Sequence, residues 1–365
     1  MKQIKNLMSL LVALLLVVFI AACEGPEGPQ GPAGPEGQQG PPGDSYVNWE
    51  GFADGIQCAY CHNPEIDTMY YVGARGLQWE ISKHGSGGAY FENSSTCAPC
   101  HTTEGFIQAD LGMTVTGHAN STPPNCFACH SPHSRADFSL RTTDPVTILA
   151  GVAGEADWEF DYGNGNLCAA CHKPRSISPK PDPNSSDPIT ITSSRWYQHY
   201  GVQSPMLAGM NGFEFAGETY TNSYHTSAAT ILEEGCPTCH MAQEERNPAG
   251  GHTMWLEYDG EEMLVGCNQT GCHNGNLTSL DYDDVMTQTE ELLDSLHTLL
   301  LEREWITASG SVNASSSNPL VITPGWLSGA MYNYYFVEHD LSEGVHNTKY
   351  AQKLLEDSIN KLNEN

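Results

Sequence analysis

Hydrophobic residues are distributed very unevenly along the chain. Lys2 and Lys5 precede an apolar run from Leu7 to Ile20, shorter than the about 20 apolar residues a membrane span needs. A basic start, a short apolar stretch and small residues after it mark 1–22 as an export signal. From Gly25 to Gly43 glycine recurs at every third position with almost no apolar side chain. Between about Tyr46 and Asn276 the chain is rich in Gly, Pro, Asn and Ser, and no long 3.6-residue period runs through it. Short helices and extensive loops are predicted there, with helical turns ending at several Cys-His pairs and an exposed proline-rich loop over Pro174–Pro188. After Asn276 the pattern changes. Val285, Leu292, Leu293, Leu296, Leu299 and Leu300 form a stripe that predicts a helix over Asp281–Trp305. Asp281, Asp283 and Asp284 suit the positive end of its dipole. Two further helices are predicted over Trp326–Val337 and Asn347–Leu362, giving a mainly α chain with extensive irregular loops and little β.

Charge narrows the choice of partners. Fifteen Lys and Arg stand against 44 Asp and Glu, a formal charge of −29. Loss of 1–22 takes away Lys2 and Lys5 and makes it −31. Such a surface lacks the cations that nucleic acid requires and does not suit anionic lipid headgroups. It favours basic, metallic or mineral partners, with salt-dependent encounter.

The cysteines carry the chemistry. Twelve of thirteen fall in six runs that end in histidine: Cys58/Cys61-His62, Cys97/Cys100-His101, Cys126/Cys129-His130, Cys168/Cys171-His172, Cys236/Cys239-His240 and Cys267/Cys272-His273. The first five are C-x-x-C-H, and the sixth is longer by two residues. C-x-x-C-H is the attachment signal for a c-type haem: the thiols add to the porphyrin vinyl groups and the histidine reaches the iron as proximal ligand. Four residues between Cys267 and Cys272 can serve the same purpose with a wider loop. Zinc would use such pairs two at a time, with no need for a histidine after each. Six haem c are therefore predicted, in a domain over 46–276. With so little polypeptide per macrocycle, the porphyrins must supply much of its buried apolar surface. The 277–365 region has no such run and is predicted to be a helical cap packed on the haems. The thirteenth cysteine, Cys23, ends Ile20-Ala21-Ala22-Cys23, which resembles a bacterial lipobox and predicts lipidation at Cys23. Residues 23–45 then form a collagen-like stalk, about 60 Å long if extended at about 3.1 Å per residue.

A six-coordinate electron-transfer iron needs a second strong ligand. Nine of the fifteen histidines are not proximal. His133 lies three residues past His130, too close to turn back on the same iron, so it would serve a neighbouring one. His84, His199, His225, His252 and His346 complete six distal candidates, with His118 in reserve. His297 reads as a packing histidine and His339 as exposed. Met206, Met210 and Met241 are further ligand candidates, read chiefly as packing residues.

The six motifs make the chain resemble the multihaem c-type cytochromes, here hexahaem, over roughly Cys58 to His346. Ser82-Lys83-His84-Gly85 resembles a distal-ligand context of that group. The layout of His199, His225 and His252 around Cys239-His240-Met241, with His346 before the last helix, resembles the pentahaem ammonia-forming nitrite reductases and their electron-carrying relatives. What the resemblance implies is electron transfer through six haems in respiratory or extracellular electron transfer at the cell envelope, not enzymatic catalysis. The implied setting is an exported outer-membrane or cell-surface lipoprotein, with the periplasmic face as the alternative. Its partners would be redox proteins or an extracellular or mineral acceptor. A reductase of nitrite, hydroxylamine or a sulfur oxyanion is the alternative. The resembling reductases usually carry lysine as the catalytic proximal ligand, whereas every motif here ends in histidine. The sixth motif, Cys267 to His273, is where unusual ligation would be sought. A protomer of a haem-lined filament is a second alternative.

Overall fold

The computed structural model describes residues 51–365 apart from residue 55; the export signal, Cys23 and the glycine repeat lie outside the described residues. Three long helices form where the apolar stripes were found. Val285–Glu302 turns Leu296 and Leu300 inward, one helical turn apart. Its start is held by Asp281, whose carboxylate accepts from the backbone N–H of Met286 (2.7 Å) and the Thr287 hydroxyl (2.7 Å), supplying an acceptor that the first turn lacks internally. Ser328–Glu338 is buried on all sides from Ser328 to Val337, as expected of a helix with no polar face. Thr348–Glu364 is amphipathic, burying Tyr350, Ala351, Leu354, Leu355 and Leu362.

These helices share their core with a segment far upstream. Ile191, Trp196, Val202, Met206, Phe213 and Phe215 pack in the same cluster as Leu296, Tyr332, Phe336 and Leu354. Apart from one short helix over Gln203–Ala208, the segment from Trp196 to Phe215 is irregular. Side chains therefore take up its backbone hydrogen bonds, because a buried N–H or C=O left without a partner is costly. Asn333 accepts from the N–H of Phe213 at 2.8 Å and donates to its carbonyl at 2.9 Å. The Tyr350 hydroxyl accepts from the N–H of Gly212 at 3.1 Å. A Cβ on Gly329 would lie 2.0 Å from the Phe213 ring, so the ring packs on the helix at a glycine.

Sheet is sparse. Three two-stranded antiparallel pairs occur among the described residues: Val146–Ile148 with Trp158–Phe160, Ile189–Ile191 with Leu320–Ile322, and Glu257–Tyr258 with Glu261–Glu262. The second again ties the middle of the chain to its C-terminal part. Val146, Ile148, Phe160, Leu207 and Ile231 form a smaller core, and Phe106, Ala128 and Leu167 a third. The proline-rich loop has no helix or strand as far as Asp187 and is largely at the surface as expected, with Arg175, Ser176, Ser178, Asn184 and Ser186 exposed, while Pro174, Ile177 and Pro181 are buried and pin it to the body.

Candidate haem sites

Each motif forms one turn of helix or a tight turn, which gathers two thiols and an imidazole. In the first five the histidine N–H donates to the carbonyl of the first cysteine, at 2.8, 3.1, 2.8, 2.9 and 3.1 Å in chain order. The longer sixth motif closes the same way, with His273 N–H on the Cys267 carbonyl at 3.1 Å. Helical turns end at the Cys-His pairs of several motifs, as expected, while the second cysteines of the fourth and sixth, Cys171 and Cys272, lie in turns. Cys61, Cys100, Cys129 and Cys239 stand in helical turns. Cys272 lies in no helix; its N–H donates to the Gln269 carbonyl at 3.1 Å and its own carbonyl accepts from Asn274 Nδ2 at 3.3 Å. In the sixth motif the two extra residues widen the loop, with Gly271 taking φ +90° directly before Cys272. Cys272 is half-buried, and all twelve motif cysteines are free thiols, none in a disulfide.

Each motif histidine faces another imidazole from elsewhere in the chain. Ring centroids are 6.2 Å apart for His62 and His133, 6.1 Å for His101 and His199, and 6.4 Å for His130 and His252. They are 6.1 Å apart for His172 and His84, 6.2 Å for His240 and His346, and 6.1 Å for His273 and His225. One metal atom with a bond of about 2.0–2.1 Å to a nitrogen on either side, plus the half-width of each ring, fills that gap. Among the described residues no group of three or more His, Cys, Asp or Glu could hold a metal on its own. Two imidazoles on opposite sides leave the positions around the metal to a macrocycle, so the residues present fit haem and not a zinc cluster.

The second nitrogen of six of these twelve rings is anchored. Nδ1 meets the Ser139 carbonyl in His130 (3.3 Å), Gln203 Oε1 in His172 (3.1 Å), the Val345 carbonyl in His225 (2.8 Å) and the Met254 carbonyl in His240 (3.1 Å). Met254 Sδ meets Nδ1 of His84 at 3.0 Å, and Asp340 Oδ1 meets Nδ1 of His346 at 2.8 Å. A proton fixed on Nδ1 leaves the Nε2 lone pair for a metal. His133 Nδ1 is buried without a hydrogen-bond partner, its ring held between Phe52 and Phe127 at 4.9 and 5.3 Å.

Burial favours the neutral form in eight of these rings, the form that ligation requires. It brings His84, His240 and His252 down to about 4, with the neighbouring charges of His172, His346 and Arg75 adding to the effect. His130, His133, His172, His199 and His225 are lowered mainly by burial too. His346 is the exception. Burial works to lower it, but the Asp340 carboxylate outweighs that and raises it.

The motifs themselves lie in contact. Cys100 Sγ meets the Ala170 carbonyl at 3.9 Å and Cys171 Sγ the Pro99 carbonyl at 3.7 Å, which joins the second and fourth motifs. Glycine makes two further approaches possible. Gly235, at φ +59°, would put a Cβ 2.7 Å from Gly165 Cα, which joins the fourth and fifth motifs. A Cβ on Gly266 would lie 2.8 Å from the Thr238 carbonyl and 3.0 Å from Cys239 Cα, which joins the fifth and sixth.

His118 stands outside the six pairs, with Nε2 3.0 Å from Gln108 Nε2. His297 packs on Tyr334 at 5.8 Å. His339 departs from expectation: it is buried, because Tyr197, Tyr200 and Tyr335 enclose its ring at 4.9, 4.3 and 5.5 Å. Met206 is a core residue. Sequence reasoning did not find Gln78, whose side chain accepts from the His252 N–H at 3.2 Å. It also passed over Asn347, which accepts from Ser223 N–H at 2.8 Å and so braces the turn before His225. A glycine directly before the first cysteine of the fifth and sixth motifs was the available signal for close packing.

No family model matches the chain. The C-type polyheme cytochrome OmcC of Geobacter sulfurreducens is 24% identical over 333 residues, covering 72% of this chain and 42% of that protein. The C-type polyheme cytochrome OmcB of the same species is 22% identical over 368 residues, covering 81% of this chain and 46% of that protein. The chain is akin to the multihaem c-type cytochromes. It spans less than half the length of these cytochrome relatives. Among solved structures, the outer cell wall cytochrome OcwA matches with a TM-score of 0.48 and 18% identity over 79% of this chain and 50% of that one, a likeness too loose to fix the fold by itself.

Proposed function

We propose that the chain binds six haems c and relays electrons at the cell envelope, without catalysing a reaction of its own. Haem iron so bound is a one-electron carrier whose potential follows its axial ligands and surroundings. The observation that carries this reading is the set of six imidazole pairs, each 6.1–6.4 Å apart and each including one motif histidine. His62, His101, His130, His172, His240 and His273 are the proximal ligands in this reading, and His133, His199, His252, His84, His346 and His225 the distal ones in the same order. The two cysteines of each motif hold the macrocycle, Cys267 and Cys272 doing so from the wider loop. Two protein nitrogens per iron close both axial positions to substrate, and the touching motifs favour a contiguous path. Residues 46–276 would form the haem-bearing region, with 277–365 packed on it. Lipidation at Cys23 and the 23–45 stalk would hold the body away from a membrane surface, facing a redox protein or an extracellular or mineral acceptor that suits a charge of −31 once 1–22 is lost.

Electron paramagnetic resonance on the ferric protein, with haem quantified alongside, tests the reading. Six haems per chain, all low-spin, are expected. A high-spin signal near one haem per chain that shifts on adding nitrite or hydroxylamine would replace relay by a reductase. His133→Ala is expected to convert one haem of six to high-spin and leave five unchanged, because its ring faces His62 and not His130. Six haems still low-spin in His133→Ala would show that His133 is not the ligand paired with His62.

A further inference from the structure

The Nδ1 partners are not equivalent. Carbonyl, amide and thioether groups face five of the rings, all of them uncharged. His346 alone among the anchored rings faces a carboxylate, with Asp340 Oδ1 at 2.8 Å. Asp340 is buried at 2% exposure, so its charge is poorly screened by water. Its other oxygen accepts from the Ser342 hydroxyl. The turn that carries this pair is braced on both sides. The His346 N–H donates to Ser342 Oγ at 3.2 Å, and the next residue, Asn347, is fully buried in its own hydrogen bonds.

A carboxylate that accepts from a ligating imidazole draws its Nδ1 proton and leaves more electron density on Nε2. The more basic ligand, with a buried negative charge a few ångströms behind it, favours the ferric state. On the six-pair reading, we propose that Asp340 is a positioning residue for His346 and makes the site between His240 and His346 the lowest in potential of the six. The fifth motif packs closely on both the fourth and the sixth, where Gly235 meets Gly165 and Gly266 meets Cys239, so this site forms an energetic step between the sixth site and the other four.

Spectroelectrochemical titration of the haem-loaded full chain tests this, with His346→Met marking the wave that belongs to the site, since methionine ligation raises the potential. The marked wave should be the lowest of six in the parent. Asp340→Asn keeps the shape and removes the charge; it should move that same wave upward and leave five in place. Asp340→Glu should return it toward the parent value. Should Asp340→Asn fail to accumulate, Ser342→Ala frees the carboxylate from its second partner and should push the wave further down. An unmoved wave in Asp340→Asn with six low-spin haems, or in Ser342→Ala, overturns the inference alone, as does a marked wave that is not the lowest. A parent chain with fewer than six haems overturns the six-pair reading and the inference with it.

Discussion

Made without haem attachment, the chain is expected to stay protected over 146–365 and to be cut readily by protease over 51–145. Among the described residues of that first stretch, Ala98, Phe106, Ile107 and Ala128 are the buried apolar side chains besides Pro132. Two are alanines, which bury little surface. Ordering backbone costs about 1–2 kcal/mol per residue, and so few side chains cannot offset that over so long a segment. The exposed Phe52, Tyr60, Met69, Tyr71, Leu77 and Phe91 show the same deficit from the other side: apolar surface with no protein packed on it. A macrocycle at each of the first three motifs would cover it. The C-terminal part differs, because Trp196, Phe213, Leu296, Tyr332, Phe336, Tyr350 and Leu354 form a core of protein alone. Limited proteolysis with mass spectrometry, on chains made with and without haem attachment, reads the outcome. Equal resistance along the whole haem-free chain would show that the first stretch folds on its own.

Asn333→Ala is expected to be the most damaging single change away from the haem motifs. Asn333 is fully buried and clips the irregular Phe213 segment onto the C-terminal helices, with its oxygen on the Phe213 N–H (2.8 Å) and its nitrogen on the Phe213 carbonyl (2.9 Å) and Ser358 Oγ (3.1 Å). Ser358 keeps a bond to the Leu354 carbonyl at 2.6 Å, but both Phe213 groups lose their partner in a place water does not reach. Each buried orphan costs about 1–3 kcal/mol, so a loss of about 2–6 kcal/mol is expected, and Tm falls by roughly 2–4 °C per kcal/mol in a chain of 150–250 residues. Thermal unfolding followed by far-ultraviolet circular dichroism on the haem-loaded protein measures it. A Tm unchanged within about 2 °C would mean the segment finds other partners.

The motif cysteines and their histidines could be recognised from sequence because their chemistry demands fixed spacing. Spacing alone does not set the local structure: Cys272 of the longer sixth motif and Cys171 of the regularly spaced fourth both sit in turns rather than helices. The three long helices were visible too, since their packing repeats every turn; they start and end within a few residues of where Leu296, Phe336 and Leu354 suggested. The core segment of Trp196 to Phe215 was invisible. Most of its backbone is neither helix nor sheet, so no period marks it, and its partners Asn333 and Tyr350 lie far along the chain. His339 was misjudged for a related reason. One tyrosine neighbour, Tyr335, sits a helical turn away, but Tyr197 and Tyr200 reach it only through the fold. Asp340 lies six residues from His346 with nothing in that spacing to announce a contact, because two positive-φ residues, Leu341 and Glu343, fold the turn back on itself.

The crossing of the ring pairs has a consequence for how such a protein is put together. Threaded through a membrane from its N-terminus, the chain releases the two members of each pair at different moments. His84 waits for His172, and His225 waits for His273, whereas His130 must wait until His252 has emerged and His240 until His346. The pairs therefore become complete in the order first, fourth, second, third, sixth, fifth, and a translocating chain spends most of its passage with at least one half-finished site.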